Sequence, residues 1–318
     1  MSARQIDPFV LDGYSQTIRS ELLNISKLTD VPMLQDLCDY FLGSGGKHLR
    51  GALLMWINDL GPKPSTHAKD LAVIVELIHA ATLLHDDVVD SSKKRRNQMT
   101  AHEKWGNTAS ILSGDYLYAL AFKKISELND LFVIRLLADA TTTIVEGEIK
   151  QLTYQNQLID TKTYFALIHA KTAKLFELST HIGAYLARFK AHQYQTLAKF
   201  GQQLGLAFQV IDDWLDYQPQ ILPDKNAGDD LRDHKATLPW ILAYQQANND
   251  DKKTLEQALK RGSEKDFVAV TNILAKTQAL DKSHLQAQQI INQAKSIFND
   301  LLPHHQMQLE QICQRILN

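Results

Sequence analysis

Residues 71–90, LAVIVELIHAATLLHDDVVD, constrain this chain more than any other stretch. The run is apolar, holds no Gly or Pro, and is rich in Leu, Ala and Ile, so it is expected to be one helix. It ends in Asp86, Asp87 and Asp90, at i, i+1 and i+4. Asp86 and Asp90 then share a helix face, with Asp87 about 100° round. Carboxylates at a helix C-terminus oppose the macrodipole, and three together repel one another. A hard divalent cation compensates them, and an all-oxygen donor set points to Mg²⁺ or Ca²⁺.

The same spacing occurs again. In GQQLGLAFQVIDDWLDY, Asp212, Asp213 and Asp216 close a second apolar run. Two such triads suggest two helices facing each other across a cavity, with metal at its mouth and hydrocarbon walls below. That arrangement suits a ligand with an anionic head and an apolar tail. A diphosphate would dock through Mg²⁺, which binds by a few carboxylates plus substrate phosphates.

The 318 residues are 44% hydrophobic with a formal charge of −2, enough for a large core and with no basic excess of the kind nucleic acid attracts. Cys38 and Cys313 make no disulfide framework, as expected for a reducing compartment. The opening MSARQIDPFVLDGY lacks the basic-then-apolar layout of a signal peptide, and the apolar runs are too short to span a bilayer. A soluble, cytoplasmic protein is expected.

Elsewhere the pattern is helical, with no strand-rich region and no short repeat. Residues 1–42 read as one or two amphipathic helices interrupted near Pro32. Gly43-Ser44-Gly45-Gly46 breaks the pattern, and Lys47-His48-Leu49-Arg50 opens the next helix. A Gly-rich turn into a helix with two cations at its start makes an anion site. Residues 108–150 read as two helices joined near Asn129-Asp130, and 161–188 as another, capped by Thr161 or Thr163. The run Lys93-Lys94-Arg95-Arg96 follows the first triad. Beside a metal–diphosphate site, its arginines would offer forked donors to phosphate oxygens. Gln209 lies one turn before Asp212 and could hydrogen-bond polar groups near the cation. The loop YQPQILPDKNAGDDLRDHKATLPW is long enough to be functional. Beyond Pro239 helices continue, with polar loops near 247–253 and 261–265 and a start near Ser283.

Taken together, the paired Asp-rich motifs, GSGGKHLR, the Arg95-Arg96 pair, Lys171-Thr172 and the lysine-bearing loop, in this order from about Gly45 to Pro239, resemble the trans polyprenyl diphosphate synthases, and among them the bacterial octaprenyl-forming members. The resemblance implies a single all-α domain over 1–318, an isoprenoid-synthase-like helical bundle around a central cavity, usually a homodimer. It implies Mg²⁺, three ions bridging both triads to an allylic diphosphate. Lys47, Arg50, His79 and Arg96 would bind isopentenyl diphosphate. Arg95, Lys171, Thr172, Lys225 and Lys235 would meet the allylic diphosphate, with Gln209 and, less directly, Gln151 near the metal site. The reaction implied is ionisation of the allylic diphosphate, attack by the double bond of isopentenyl diphosphate, and proton loss to the departing diphosphate, with no separate side-chain base.

The product is expected to be long, octaprenyl from a farnesyl starter, for quinone side chains. Ala81, Ile78 and Ile74 form one stripe below the first triad, Ala81 roughly 7.5 Å from Asp86 along the axis, and short-product members of the family carry a bulky aromatic near that position. Release of such a product implies transient membrane contact. Rival readings are a geranylgeranyl or farnesyl synthase whose floor lies on another helix, a non-catalytic partner subunit (disfavoured because both triads are intact), and a terpene cyclase, which would leave the isopentenyl diphosphate residues without a role. The chain departs from the family pattern at Gly51 (usually proline), at Asn97, Gln98 and Met99 (usually Gly-Lys-Pro), and at His234 (usually glycine).

Overall fold

The computed structural model describes residues 10–218 and 228–317. Among them the chain is helical throughout, apart from one two-stranded hairpin. It forms two compact units: the described residues up to Thr141 with Leu175–Ala198, and Thr142–Lys174 with the described residues from Lys199 onward.

The first unit is built on α4 (Ala68–Val89). Thirteen of its residues are buried, from Ala68 to Asp87, as a helix apolar on nearly every side requires. Around it lie α1 (Val10–Leu22), α2 (Pro32–Gly43), α3 (Leu49–Asp59), α5 (Ala101–Trp105) and α6 (Asn107–Glu127), with α3 and α6 packed directly on α4. Pro32 does not interrupt a helix but starts one, at the first helical position, where its missing N–H costs nothing. Ser110 Oγ donates to the Leu84 carbonyl at 3.1 Å and helps hold α6 on α4.

Between α4 and α5 the chain makes the hairpin β1 (Lys94–Arg95) and β2 (Gln98–Met99), with Lys94 paired to Met99 and Arg95 to Gln98. Its two turn residues, Arg96 and Asn97, have φ of 52° and 60°. Two successive residues at positive φ are what a tight two-residue hairpin needs, and Asn tolerates that region nearly as well as glycine. Asn97 in place of the family glycine therefore keeps the turn.

In the second unit α8 (Thr161–Ile168), α12 (Leu238–Gln246), α13 (Asn249–Arg261), α14 (Phe267–Lys276), α15 (Ala279–Leu301) and α16 (Gln306–Leu317) follow the expected helical pattern, joined by the four-residue α11 (Asp229–Arg232). Trp240, Leu255, Val270 and Leu274 centre its core. Three helices, α7 (Leu131–Thr153), α9 (Lys174–Leu186) and α10 (Ala191–Leu215), contribute residues to both units. The single helix expected over 161–188 is instead two, α8 and α9, joined by a π-helical turn at His169–Ala173. Such turns are rare and often mark functional positions; this one carries Lys171 and Thr172. Cys38 and Cys313 are both buried and free.

Candidate active site

The first cluster of candidate residues forms where α3, α4 and the hairpin meet. The residues after Gly43 leave helical geometry, and His48 caps α3 in the left-handed region, with φ 42° and ψ 41°. Gly46 has no side chain, and a Cβ there would lie 2.9 Å from a guanidinium nitrogen of Arg96. Arg96 also donates to Ser44 Oγ at 3.3 Å. The Gly-rich turn and the turn of the hairpin thus share one surface. Arg50 stacks on the Phe176 ring at 4.8 Å, and its Nη1 lies 3.0 Å from His79 Nε2. Arginine can only donate, so His79 accepts at Nε2 and carries its proton on Nδ1. Burial, then the charges of Arg50, Arg95 and Arg96, hold the imidazole well below its ordinary range, so it stays neutral. Lys47 is exposed at the tip.

The first triad splits by role. Asp86 and Asp90 are half-buried on one face. Asp87 is fully buried, and its Oδ1 accepts from Arg95 Nε and Nη2, both at 2.8 Å. Burial raises the Asp87 carboxyl, with Arg95 working against it. Asp87 therefore anchors the hairpin through Arg95.

The second triad is also divided, with one carboxylate outward and two anchored. Asp212 is exposed, while Asp213 and Asp216 are 4% and 2% exposed. Asp213 Oδ1 accepts from Gln209 Nε2 at 2.7 Å, and its Oδ2 from the Tyr164 hydroxyl at 2.5 Å. Gln209 in turn accepts from Thr172 Oγ1 at 2.6 Å. The chain Thr172–Gln209–Asp213–Tyr164 ties the π-turn to α10. Tyr164 is held far above its ordinary range, by burial first and then by Asp213, and remains a donor. Asp216 accepts the backbone N–H groups of Asp229 and Asp230, both at 3.1 Å, and caps α11. In each triad packing, not spacing, decides which carboxylate faces outward.

Lys171 pairs with Glu148 at 2.9 Å. The sequence reading singled out neither Glu148 nor Tyr164. Glu148 lies three residues before Gln151, but nothing in the sequence marks Tyr164. Gln151 is half-buried near the end of α7. Lys235 bonds Asp233 Oδ2 at 2.9 Å. His234, in place of the family glycine, does sit at positive φ, 58°, and its Nδ1 donates to the Leu259 carbonyl at 2.8 Å. Its ring fits against Gly262, where a Cβ would come within 2.6 Å of it. The histidine is thus anchored in a conformation that most residues avoid. Lys225 lies outside the described residues.

Among the described residues no three His, Cys, Asp or Glu side chains converge to hold a metal alone. The outward carboxylates, Asp86, Asp90 and Asp212, are hard oxygen donors in ones and twos. They fit a Mg²⁺ ion that keeps waters and completes its shell with phosphate oxygens.

Gly51 is closely packed at the start of α3. Its N–H donates to Glu76 Oε1 at 2.8 Å, and a Cβ would meet Ile18, the Ala72 carbonyl and Glu76 at 2.8, 2.9 and 3.1 Å. Restoring the family residue with Gly51→Pro removes the donor and adds the clash. It is expected to cost about 3 kcal/mol in chemical denaturation. Wild-type stability in that variant would show that the close approach relaxes.

A family model described as polyprenyl synthetase matches residues 31–276. The chain is 37% identical over 257 residues to the octaprenyl diphosphate synthase of Haemophilus influenzae, covering 80% of this chain and 78% of that protein. It is 36% identical over 270 residues to an all-trans-nonaprenyl-diphosphate synthase of Rhodobacter capsulatus, covering 84% and 83%. The crystal structure of a polyprenyl synthase from Caulobacter crescentus, complexed with calcium and isoprenyl diphosphate, matches with a TM-score of 0.87 and 35% identity over 96% of this chain and 93% of that one.

Proposed function

Because the chain belongs to the polyprenyl synthetase family and is a prenyltransferase, we propose that it condenses isopentenyl diphosphate with an allylic diphosphate, farnesyl diphosphate as starter, to a long all-trans product, octaprenyl diphosphate, used for quinone side chains. The observation that carries this reading is that the chain holds both a built anion loop (Gly46, Lys47, Arg50, Arg96) and two Asp-rich helix ends that each turn carboxylate outward. The long product is supported by the octaprenyl- and nonaprenyl-forming relatives.

On this reading the whole chain works as one synthase domain. Bound Mg²⁺ would supply Lewis-acid stabilisation of the departing group. Asp86, Asp90 and Asp212 would hold it. Asp87 orients Arg95, and Asp213, Gln209 and Thr172 order the turn that carries Lys171. The cations Arg95, Lys171, Lys225 and Lys235 would meet negative charge as it develops on the leaving group. Lys47, Arg50 and Arg96 would hold isopentenyl diphosphate, with neutral His79 as a hydrogen-bond partner rather than a charge. No side-chain base is assigned, since the departing diphosphate can take the last proton.

We read the protein as cytoplasmic and as a homodimer, with Ile111, Leu112 and Phe122, exposed on α6, as part of the shared face. No helix among the described residues is long and apolar enough to cross a membrane; release of a long product would involve transient contact with one. The test is incubation with Mg²⁺, labelled isopentenyl diphosphate and farnesyl diphosphate, with products sized by chromatography. A ladder ending at a long polyprenyl diphosphate is expected. Folded protein that makes no product would overturn the catalytic reading in favour of a partner subunit.

A further inference from the structure

Glu76 sits on α4 ten residues before Asp86, 5% exposed, in a helix whose other buried residues are almost all apolar. A carboxylate there must be hydrogen-bonded to be tolerated. Its two oxygens go to one place. Oε1 accepts the Gly51 N–H at 2.8 Å, and Oε2 lies 3.4 Å from His48 Nδ1. Gly51 is the third residue of α3, so its N–H is one of the orphan donors at a helix start. The side chain that satisfies it comes from a neighbouring helix, because His48 makes no side-chain cap of its own.

The same carboxylate therefore grips the anion turn at two points: the left-handed residue that ends it and the first turn of the helix that follows. Ser15 Oγ adds a third, donating to the Lys47 carbonyl at 2.8 Å. Glu76 and His48 also line a small pocket with Gly45, His79, Leu83 and Arg96. The far nitrogen of His48, Nε2, is buried there without a hydrogen-bond partner. Burial pushes the Glu76 carboxyl up, but the hydrogen bond and charge of His48, the Gly51 N–H and Arg50 outweigh it, and the net direction is down.

We propose that Glu76 is a positioning residue for isopentenyl diphosphate: acting through Gly51 and His48, it fixes the Gly45–Arg50 turn in the shape that presents Lys47, Arg50 and Arg96 to the anion. The proposal rests on the assignment of this turn to isopentenyl diphosphate. Glu76 touches no substrate in this account. It works by removing the freedom of a loop that would otherwise have to be ordered when the anion binds. His48 is the weak link, since a non-glycine residue at positive φ is held there only by its surroundings.

The test compares Glu76→Gln, His48→Gly and the double variant in steady-state kinetics. Glycine at 48 removes the imidazole and accepts positive φ without strain. Each single variant is expected to raise KM for isopentenyl diphosphate about tenfold, the loss of one charge-assisted contact. KM for the allylic diphosphate and kcat should stay within about twofold. Because both act through one linkage, the double variant should be no worse than the poorer single one. Unchanged KM for isopentenyl diphosphate, or both KM values and kcat moving together, overturns the proposal. If the wild-type protein folds but does not condense the two diphosphates, the functional reading falls instead. The positioning role is then decided by calorimetric titration with inorganic diphosphate, where the same tenfold weakening supports it and equal binding overturns it.

Discussion

Asp86→Asn should lower kcat by about a thousandfold, the order of loss when one element of a preorganised electrostatic site is removed. Unfolding by denaturant should be nearly unchanged, because Asp86 lies half-buried on the outward face of α4 and asparagine keeps its shape there. Asp212→Asn should behave alike, since Asp212 is the exposed member of its triad. Asp216→Asn should do the reverse. Asparagine keeps one carbonyl acceptor where Asp216 offers two oxygens to the amides of Asp229 and Asp230. One buried N–H is left poorly paired, at about 1–3 kcal/mol of stability, while kcat falls by tenfold at most. The measurements are kcat across a Mg²⁺ titration and the denaturation midpoint for all three variants. If Asp216→Asn abolishes turnover at full stability, the division of each triad into outward and anchoring carboxylates is wrong.

That division marks where the sequence stopped being informative. The period of a helix fixes the angle between Asp86 and Asp87, but not which of them looks outward. That depends on what packs against the helix, here Arg95 returning on a hairpin eight residues later. Asp213 and Asp216 are decided the same way, by Tyr164, forty-nine residues away, and by the backbone of α11. What was legible was local and periodic: α4, the two Asp-rich helix ends, the break at Gly43–Gly46 and the order of helices. What was hidden was lateral. Glu76 read as one polar residue in an apolar run, and only α3 lying on α4 makes it the cap of Gly51. The π-turn at His169–Ala173 left no trace, because its residues suit an α-helix as well. Two departures from the family pattern prove interpretable once backbone angles are known. Asn97 and His234 both stand at positive φ, one by intrinsic tolerance and the other through its bond to Leu259.

The wall beneath the first triad separates two substitutions that the sequence could not. Ala81, Ile78 and Ile74 share a stripe, yet they are 0%, 1% and 1% exposed. All three are covered by neighbouring side chains. The accessible side of α4 runs instead through His79, Thr82, Leu83 and Asp86, at spacings of three and four residues. Thr82 is one turn below Asp86 on that side, its hydroxyl donating to the His79 carbonyl at 2.8 Å. Thr82→Phe should thus place an aromatic ring beneath the diphosphate end, stop the growing tail, and move the product from long-chain to farnesyl or geranylgeranyl length with little loss of stability. Ala81→Phe should shorten the product as well, but only by forcing a ring into filled space, at about 1–3 kcal/mol. Product sizing and denaturation of both variants, side by side, check this. A wild-type ladder from Thr82→Phe would mean that the tail does not run along α4 and that its floor lies on another helix.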